Sequence, residues 1–325
     1  MGDLLIPKMV VIEVTNRCNL KCKFCLSTCN TNAVGDMSLE MFKAIIDKVK
    51  EEMPGVSVVP WLIGEPFLNR DYLEMVKYLS VNGLRFYVTT NLTIWREDIL
   101  RFLLSKESTC YQIIVSMDGL PDSGNIEIAR PGTNEKVLLN NLEKLLAIKT
   151  AIGSDKDIAV KICARGQDWG EIEDYVQYWL NDAGIDYVCV GKILVGDNEI
   201  PMRTKPCQYF DNQFMEIRWN GELAICSYNN HVIDEHALSY GQYKIGDSLL
   251  ELYNNEAITK LREDQHNGVF PWPCSVCSFA YTGYGFRGEV QFRDDKIKRP
   301  IYYQQDYYNM FFSLKRKWKP AEYYK

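Results

Sequence analysis

Residues 9–25 read Met-Val-Val-Ile-Glu-Val-Thr-Asn-Arg-Cys-Asn-Leu-Lys-Cys-Lys-Phe-Cys. The first part, 9–15, is apolar and β-branched, which predicts a buried strand. The second part sets Cys18, Cys22 and Cys25 in a loop directly beyond the strand's C-terminal end. Iron–sulfur cubanes are held by cysteine thiolates, normally four. Three closely spaced thiolates leave one iron open to another ligand. Cys29 follows four residues later, so Cys18, Cys22, Cys25 and Cys29 also make a conceivable tetrahedral zinc set. Zinc spacings usually come as C-x2-C pairs set well apart, and this run has one such pair.

Working outward, Glu40–Lys50 carries apolar residues at 41, 45, 46 and 49, the spacing of a helix. A strand over 56–62 ends at Gly64-Glu65-Pro66. Helices are then predicted at 70–82, 95–105, 133–149 and 168–183, alternating with strands at 84–90, 111–117, 157–164 and 186–191. This is an α/β series with a parallel sheet and right-handed crossovers. Its βα steps suit a partial (β/α)6 barrel, in which chemistry gathers at the C-terminal strand ends. No G-x-G-x-x-G follows the first strand, which counts against a nucleotide-binding open sheet.

The chain has 325 residues, room for one large domain and a smaller one. No apolar run reaches membrane-spanning length and residues 1–9 lack a signal-peptide pattern, so a cytoplasmic protein without a membrane partner is expected. Its 11 cysteines are then metal ligands, core thiols or catalytic groups rather than disulfides. The net charge of −6 argues against nucleic acid as a partner. Residues 295–325 form an aromatic, basic tail of helical apolar spacing, expected as a helix packed on the open side of the barrel, with a membrane-surface helix as the other reading.

The run C-x3-C-x2-C, with Phe24 before its last cysteine, resembles the signature of the radical S-adenosylmethionine (SAM) superfamily. The resemblance implies a [4Fe-4S] cluster on Cys18, Cys22 and Cys25, with SAM chelated to the open iron. In that family the reduced cluster cleaves SAM to methionine and a 5′-deoxyadenosyl radical, which takes hydrogen from substrate. Ile63-Gly64-Glu65-Pro66 resembles the family's GGEP motif, which holds the methionine amino group. Its first glycine is replaced by Ile63, tolerable where φ is negative; a plain turn is the other reading. Side chains alternate along a strand. Tyr87, Thr89 and Asn91 therefore share one face, and Ile114, Ser116 and Asp118 another. By the resemblance, Phe24, Gly64, Glu65, Pro66, Asn91, Ser116 and Asp118 contact SAM, although Asp118-Gly119 reads equally as a chain turn. Lys161, Cys163 and Arg165 share the polar face of a buried strand, which is costly unless it lines a polar cavity. They are the candidate catalytic residues; alternatively Lys161 and Arg165 reach solvent at the strand ends.

Cys207, Cys226, Cys274 and Cys277 stand at C-x18-C-x47-C-x2-C, with Asn220-Gly221 predicting a hairpin turn in the first interval. The residues alone suit zinc or a cluster. The order C-x13-G-x4-C then C-x2-C resembles the start of the SPASM domain, as do Ile245-Gly246-Asp247 and a helix over 248–262. Cys277 is the last cysteine, which matches the shortened Twitch form with one auxiliary [4Fe-4S] cluster, as in the 2-deoxy-scyllo-inosamine dehydrogenases. The domains expected are a radical SAM barrel at 1–201, an auxiliary-cluster domain at 202–294 and the tail at 295–325. The activity implied is oxidation of a small-molecule alcohol, sugar or aminocyclitol-like, with the auxiliary cluster accepting an electron and flavodoxin or ferredoxin as reductant. A radical epimerase, a maturase acting on a peptide or natural product, and a non-enzymatic zinc-binding module are the alternatives. Cys110 and Cys189 read as core thiols. Cys163 is the thiol that an epimerase would use as hydrogen donor.

Overall fold

The computed structural model describes residues 4–22, 25, 33–164, 169–192, 206–207, 214–226, 239–271, 274–276 and 311–315. Strand β1 (Met9–Ile12) is buried along its whole length. Helix α1 (Leu39–Glu52) starts at Ser38, whose Oγ accepts the Met41 N–H at 3.1 Å. Glu40 in its first turn and Lys50 in its last complement the helix dipole. Its Phe42, Ile45, Ile46 and Val49 are buried, so one stripe holds it to the core.

The βα series continues as the periodicity predicts: β2 (Ser57–Val59), α2 (Tyr72–Val81), β3 (Phe86–Thr90), α3 (Glu97–Leu104) and β4 (Cys110–Ser116). A short helix, α4 (Asn125–Ala129), precedes α5 (Glu135–Ile152), β5 (Asp157–Ala164), α6 (Trp169–Gln177) and β6 (Tyr187–Lys192). The end of the expected 168–183 helix widens into a π-helical turn at Tyr178–Asp182. Strands β3, β4, β5 and β6 pair in parallel. Strand β1 pairs in parallel with β2. The two sheets meet where the Trp61 ring stands edge-on to Tyr87, centroids 5.8 Å apart. The architecture is thus a partial α/β barrel whose wall divides between β2 and β3.

Beyond the barrel, β7 (Phe214–Ile217) and β8 (Glu222–Ala224) form the hairpin expected at Asn220-Gly221, and β9 (Ser239–Gln242) adds to it. Unforeseen is the parallel pairing of β7 with β1, which extends the first sheet to the order β2-β1-β7-β8-β9.

Two expectations need correction. The single helix over 248–262 is two, α7 (Leu249–Tyr253) and α8 (Glu256–His266). Asn254 and Asn255 divide them: Asn255 Oδ1 caps α8 by accepting the Ile258 N–H at 3.2 Å, and Asn254 bonds both backbone groups of Leu5. The tail's helical spacing fails at β10 (Phe311–Lys315), a strand antiparallel to β6. An open sheet edge presents a row of unpaired N–H and C=O groups, and a β-rich segment satisfies them. The rest of 295–325 lies outside the described residues.

Candidate metal and cofactor site

The cysteine loop leaves β1 and is pinned at its base. Thr15 Oγ1 lies 2.7 Å from Asp36 Oδ1. The Asn16 amide donates to Ala33 O and accepts the Gly35 N–H, each at 2.8 Å. Polar hydrogens point at the sulfurs. Cys18 Sγ accepts the Leu20 N–H at 3.4 Å and faces Asn91 Nδ2 at 4.0 Å. Cys22 Sγ accepts from Arg130 Nη1 at 3.6 Å. Burial pushes the Cys18 thiol up and the Cys22 thiol to about 11; the charges of the neighbouring cysteines add to this, and Arg130 opposes it. The Cys18 and Cys22 thiols, each raised by the neighbouring Cys25 and each met by an N–H donor, suit thiolates carrying the negative charge of a cluster. Among the described residues no three His, Cys, Asp or Glu side chains gather tightly enough to hold a single metal ion. A cubane differs in offering a separate iron to each thiolate. The residues present therefore fit a [4Fe-4S] group.

The second motif is joined to this loop by backbone. Gly64 has φ +87, and a Cβ there would sit 2.7 Å from both Thr15 O and Arg17 O. Next to it the Glu65 N–H donates to Arg17 O at 2.7 Å. Only glycine fits this close approach with a positive φ. Ile63 is not among the residues of positive φ, so its substitution for the motif's first glycine is tolerated.

Glu65 is buried. Its Oε1 accepts from Thr90 Oγ1 at 2.8 Å and from the Phe67 N–H at 3.2 Å, while Oε2 accepts the Asn91 N–H at 2.6 Å. Burial drives its carboxyl up to about 7, against the lowering effect of those donors. Pro66 opens the turn that Glu65 caps. Asn91 Nδ2 donates to Asn19 Oδ1 at 3.0 Å, tying the end of β3 to the cysteine loop.

At the end of β4, Ser116 and Asp118 are buried, and Asp118 has a left-handed backbone, φ +57. It makes the turn, and both its oxygens are held by protein groups. One of its oxygens accepts the Cys163 N–H at 2.5 Å, and the other pairs with Arg130. Arg130 thus bridges Asp118 and Cys22 in the interior. Burial alone would lower its pKa, but Asp118 and Cys22 reverse this and hold it firmly charged. Sequence reasoning missed Arg130. The signal available was its place in Arg130-Pro131-Gly132, which abuts the loop: the Lys21 N–H donates to Pro131 O at 3.1 Å. Thr90 was also missed.

Lys161 lies opposite Ser116 and Cys189 in the sheet, and Cys163 opposite Gly191. Both side chains are half-buried on the Ser116 face. Cys110 and Cys189 are buried core thiols. In the second set, Cys207 and Cys274 are buried and Cys226 half-buried. The Cys207 N–H donates to Gln265 Oε1 of α8 at 3.1 Å. Phe24, Cys29, Arg165 and Cys277 lie outside the described residues.

Residues 12–150 match the Radical SAM superfamily profile. The tungsten-containing aldehyde ferredoxin oxidoreductase cofactor-modifying protein of Pyrococcus furiosus is 25% identical, over 83% of this chain and 87% of its own length. The 7,8-dihydro-6-hydroxymethylpterin dimethyltransferase of Methanocaldococcus jannaschii is 28% identical, over 51% of this chain but only 32% of its own length. The crystal structure of Streptococcus suis SuiB bound to precursor peptide SuiA superposes with a TM-score of 0.61 at 16% identity, covering 80% of this chain and 67% of that one. The crystal structure of BtrN in complex with AdoMet and 2-DOIA gives 0.52 at 15% identity, covering 82% and 89%. At these identities the structural likeness is one of fold.

Proposed function

This chain carries a radical SAM domain at residues 12–150, and from that premise we propose that it is a radical SAM oxidoreductase acting on a small-molecule alcohol, sugar or aminocyclitol-like. The observation that carries the reading is the joining of the Cys18–Cys25 loop to Glu65 and Asn91 beyond the C-terminal ends of β1, β2 and β3. When bound, the cluster and SAM supply a 5′-deoxyadenosyl radical.

Cys18, Cys22 and Cys25 hold the cluster, and the donors from Leu20, Asn91 and Arg130 offset its charge. Glu65 takes the methionine ammonium. A carboxylate has about four acceptor sites, and three protein donors leave one for that contact. Gly64 and Pro66 set the position of Glu65; Asn91, Ser116 and Asp118 line the rest of the SAM site, a role the sequence motif also gives Phe24. Lys161 and Cys163 face the substrate, a role the sequence pattern also gives Arg165. Cys207, Cys226, Cys274 and Cys277 would hold a second [4Fe-4S] group, whose four thiolates suit an electron exit from substrate; a flavodoxin or ferredoxin is the reductant of the first cluster. No helix of the described residues is long and apolar enough to cross a membrane.

A second reading, modification of a peptide or a cofactor, draws support from the Pyrococcus cofactor-modifying protein, which aligns along most of this chain. Anaerobically reconstituted protein, given SAM and dithionite, tests the shared premise. It should release 5′-deoxyadenosine, and Cys22→Ala should release none. Iron-loaded wild type that leaves SAM intact overturns both readings.

A further inference from the structure

A second group of buried charges lies where β1, β7 and β8 run side by side. Leu223 faces the helices, because the Cβ that Gly241 lacks would stand 3.3 Å from Leu223 Cδ1 and 3.7 Å from Leu252 Cδ2 of α7. Side chains alternate, so Glu222 and Ala224 face the other way. Ala224 pairs with Glu216, and Glu216 with Val11, two residues before Glu13. Glu13, Glu216 and Glu222 therefore share the face turned from the helices. Arg218 joins them: its N–H donates to Glu222 O at 2.8 Å and its Nε lies 3.7 Å from Glu222 Oε2.

All four side chains are at least nine-tenths buried. Three carboxyl groups face one guanidinium. Glu13 Oε2 accepts the Trp219 N–H at 3.3 Å, while Glu13 Oε1 and Arg218 Nη2 have no hydrogen-bond partner among the described residues. An enclosed orphan of this kind is costly until a partner arrives. Burial pushes the Glu13 carboxyl up to about 7 even though Arg218 pulls it down. The carboxylates do not converge on a single metal position, and a guanidinium among them repels a bare cation. An extended organic cation suits the group better. Its place agrees: β1 leads into the Cys18 loop, and β8 leads to Cys226 two residues past its end.

We propose that Glu13 and Arg218, supported by Glu216 and Glu222, form a substrate subsite for a primary ammonium with a neighbouring hydroxyl or carbonyl oxygen. The ammonium donates to Glu13 Oε1, and the oxygen accepts from Arg218 Nη2. The inference rests on reading the barrel interior as the substrate cavity. Its test uses neither SAM cleavage nor turnover, so either reading can fail alone.

The experiment measures binding to reconstituted full-length protein by saturation-transfer NMR and calorimetry. The probes are ethanolamine, glycinamide and 2-deoxystreptamine, each compared with a neutral counterpart: ethylene glycol, acetamide and scyllo-inositol. At least one amine should bind ten times or more tighter than its counterpart. Glu13→Gln, isosteric, should abolish that preference, and Glu216→Gln should reduce it. Failure of every amine to exceed its neutral partner in wild type overturns the proposal without any variant. So does a preference that survives in folded Glu13→Gln; should that variant not fold, Glu216→Gln decides in the same way.

Discussion

At Gly64 a missing side chain lets two motifs touch. A methyl group there would meet the carbonyls of Thr15 and Arg17 at 2.7 Å from a backbone of φ +87. Gly64→Ala should cost about 1–3 kcal/mol and displace the cysteine loop. Calorimetric melting should fall and iron uptake on reconstitution should drop with it. Its neighbour Glu65 is read as meeting an ammonium and taking no part in bond breaking. Glu65→Gln should therefore weaken SAM binding tenfold or more in equilibrium dialysis; an unchanged affinity removes the role. Glu65 and Glu13 also make stability depend on pH. Both carboxyls are raised by burial from 4.5 to about 7 in the folded chain. Between those values the folded state keeps protons that the unfolded chain has released. Stability of the iron-free protein should thus fall as pH rises from 4.5 to 7, by at most about 1.4 kcal/mol per unit for each group. Urea unfolding at pH 5 and pH 7 measures the slope, which Glu65→Gln should flatten.

Among the elements, β1 ties the barrel to the hairpin beyond residue 201. It is paired in parallel on one side with β2 and on the other with β7. A division at residue 201, natural from composition, therefore cuts through a sheet. Residues 1–201 made alone lack the partner that accepts the Glu13 N–H at Ile217 O, 2.8 Å away, and the hairpin that covers Glu13. The fragment should melt without cooperativity; a cooperative transition at the temperature of the full chain refutes this dependence. The βα series was legible because its periods are local and long. The β1–β7 pairing was not, because a uniformly buried run such as Met-Val-Val-Ile carries no mark of which strand lies beside it. Asn254-Asn255 hid a helix break inside a continuous apolar stripe. Thr90 escaped because alternation assigns it to the helix side, whereas the chain turns just beyond it, at Leu92 with φ +51. Cys18, Cys22, Cys25, Gly64, Glu65 and Asn91 were legible because close backbone approach and thiolate chemistry restrict residue type. A lone arginine such as Arg130 has no such local signature.

Across the whole molecule the question is what passes between the two cysteine sets. If both hold cubanes, reconstituted protein should carry about eight irons, and replacing Cys18, Cys22 and Cys25 together with Ala should leave about four. Saturation of wild type near four would remove the second cluster and with it the electron exit. Cys163 then separates the two fates of a substrate radical. Its strand is tied to the first site, since its N–H meets Asp118, which pairs with Arg130, which in turn reaches Cys22. An epimerase needs a hydrogen donor on the face opposite abstraction, and the half-buried thiol of Cys163 is the candidate for it. An oxidase needs an electron exit instead, which a cluster on Cys207, Cys226, Cys274 and Cys277 would provide without it. Oxidation predicts that Cys163→Ala keeps forming product, while Cys226→Ala stops turnover but leaves SAM cleavage at the first site. In heavy water an oxidised carbon gains no solvent deuterium. A product of unchanged mass in light water that carries one deuterium in heavy water, and that disappears in Cys163→Ala, makes the enzyme an epimerase.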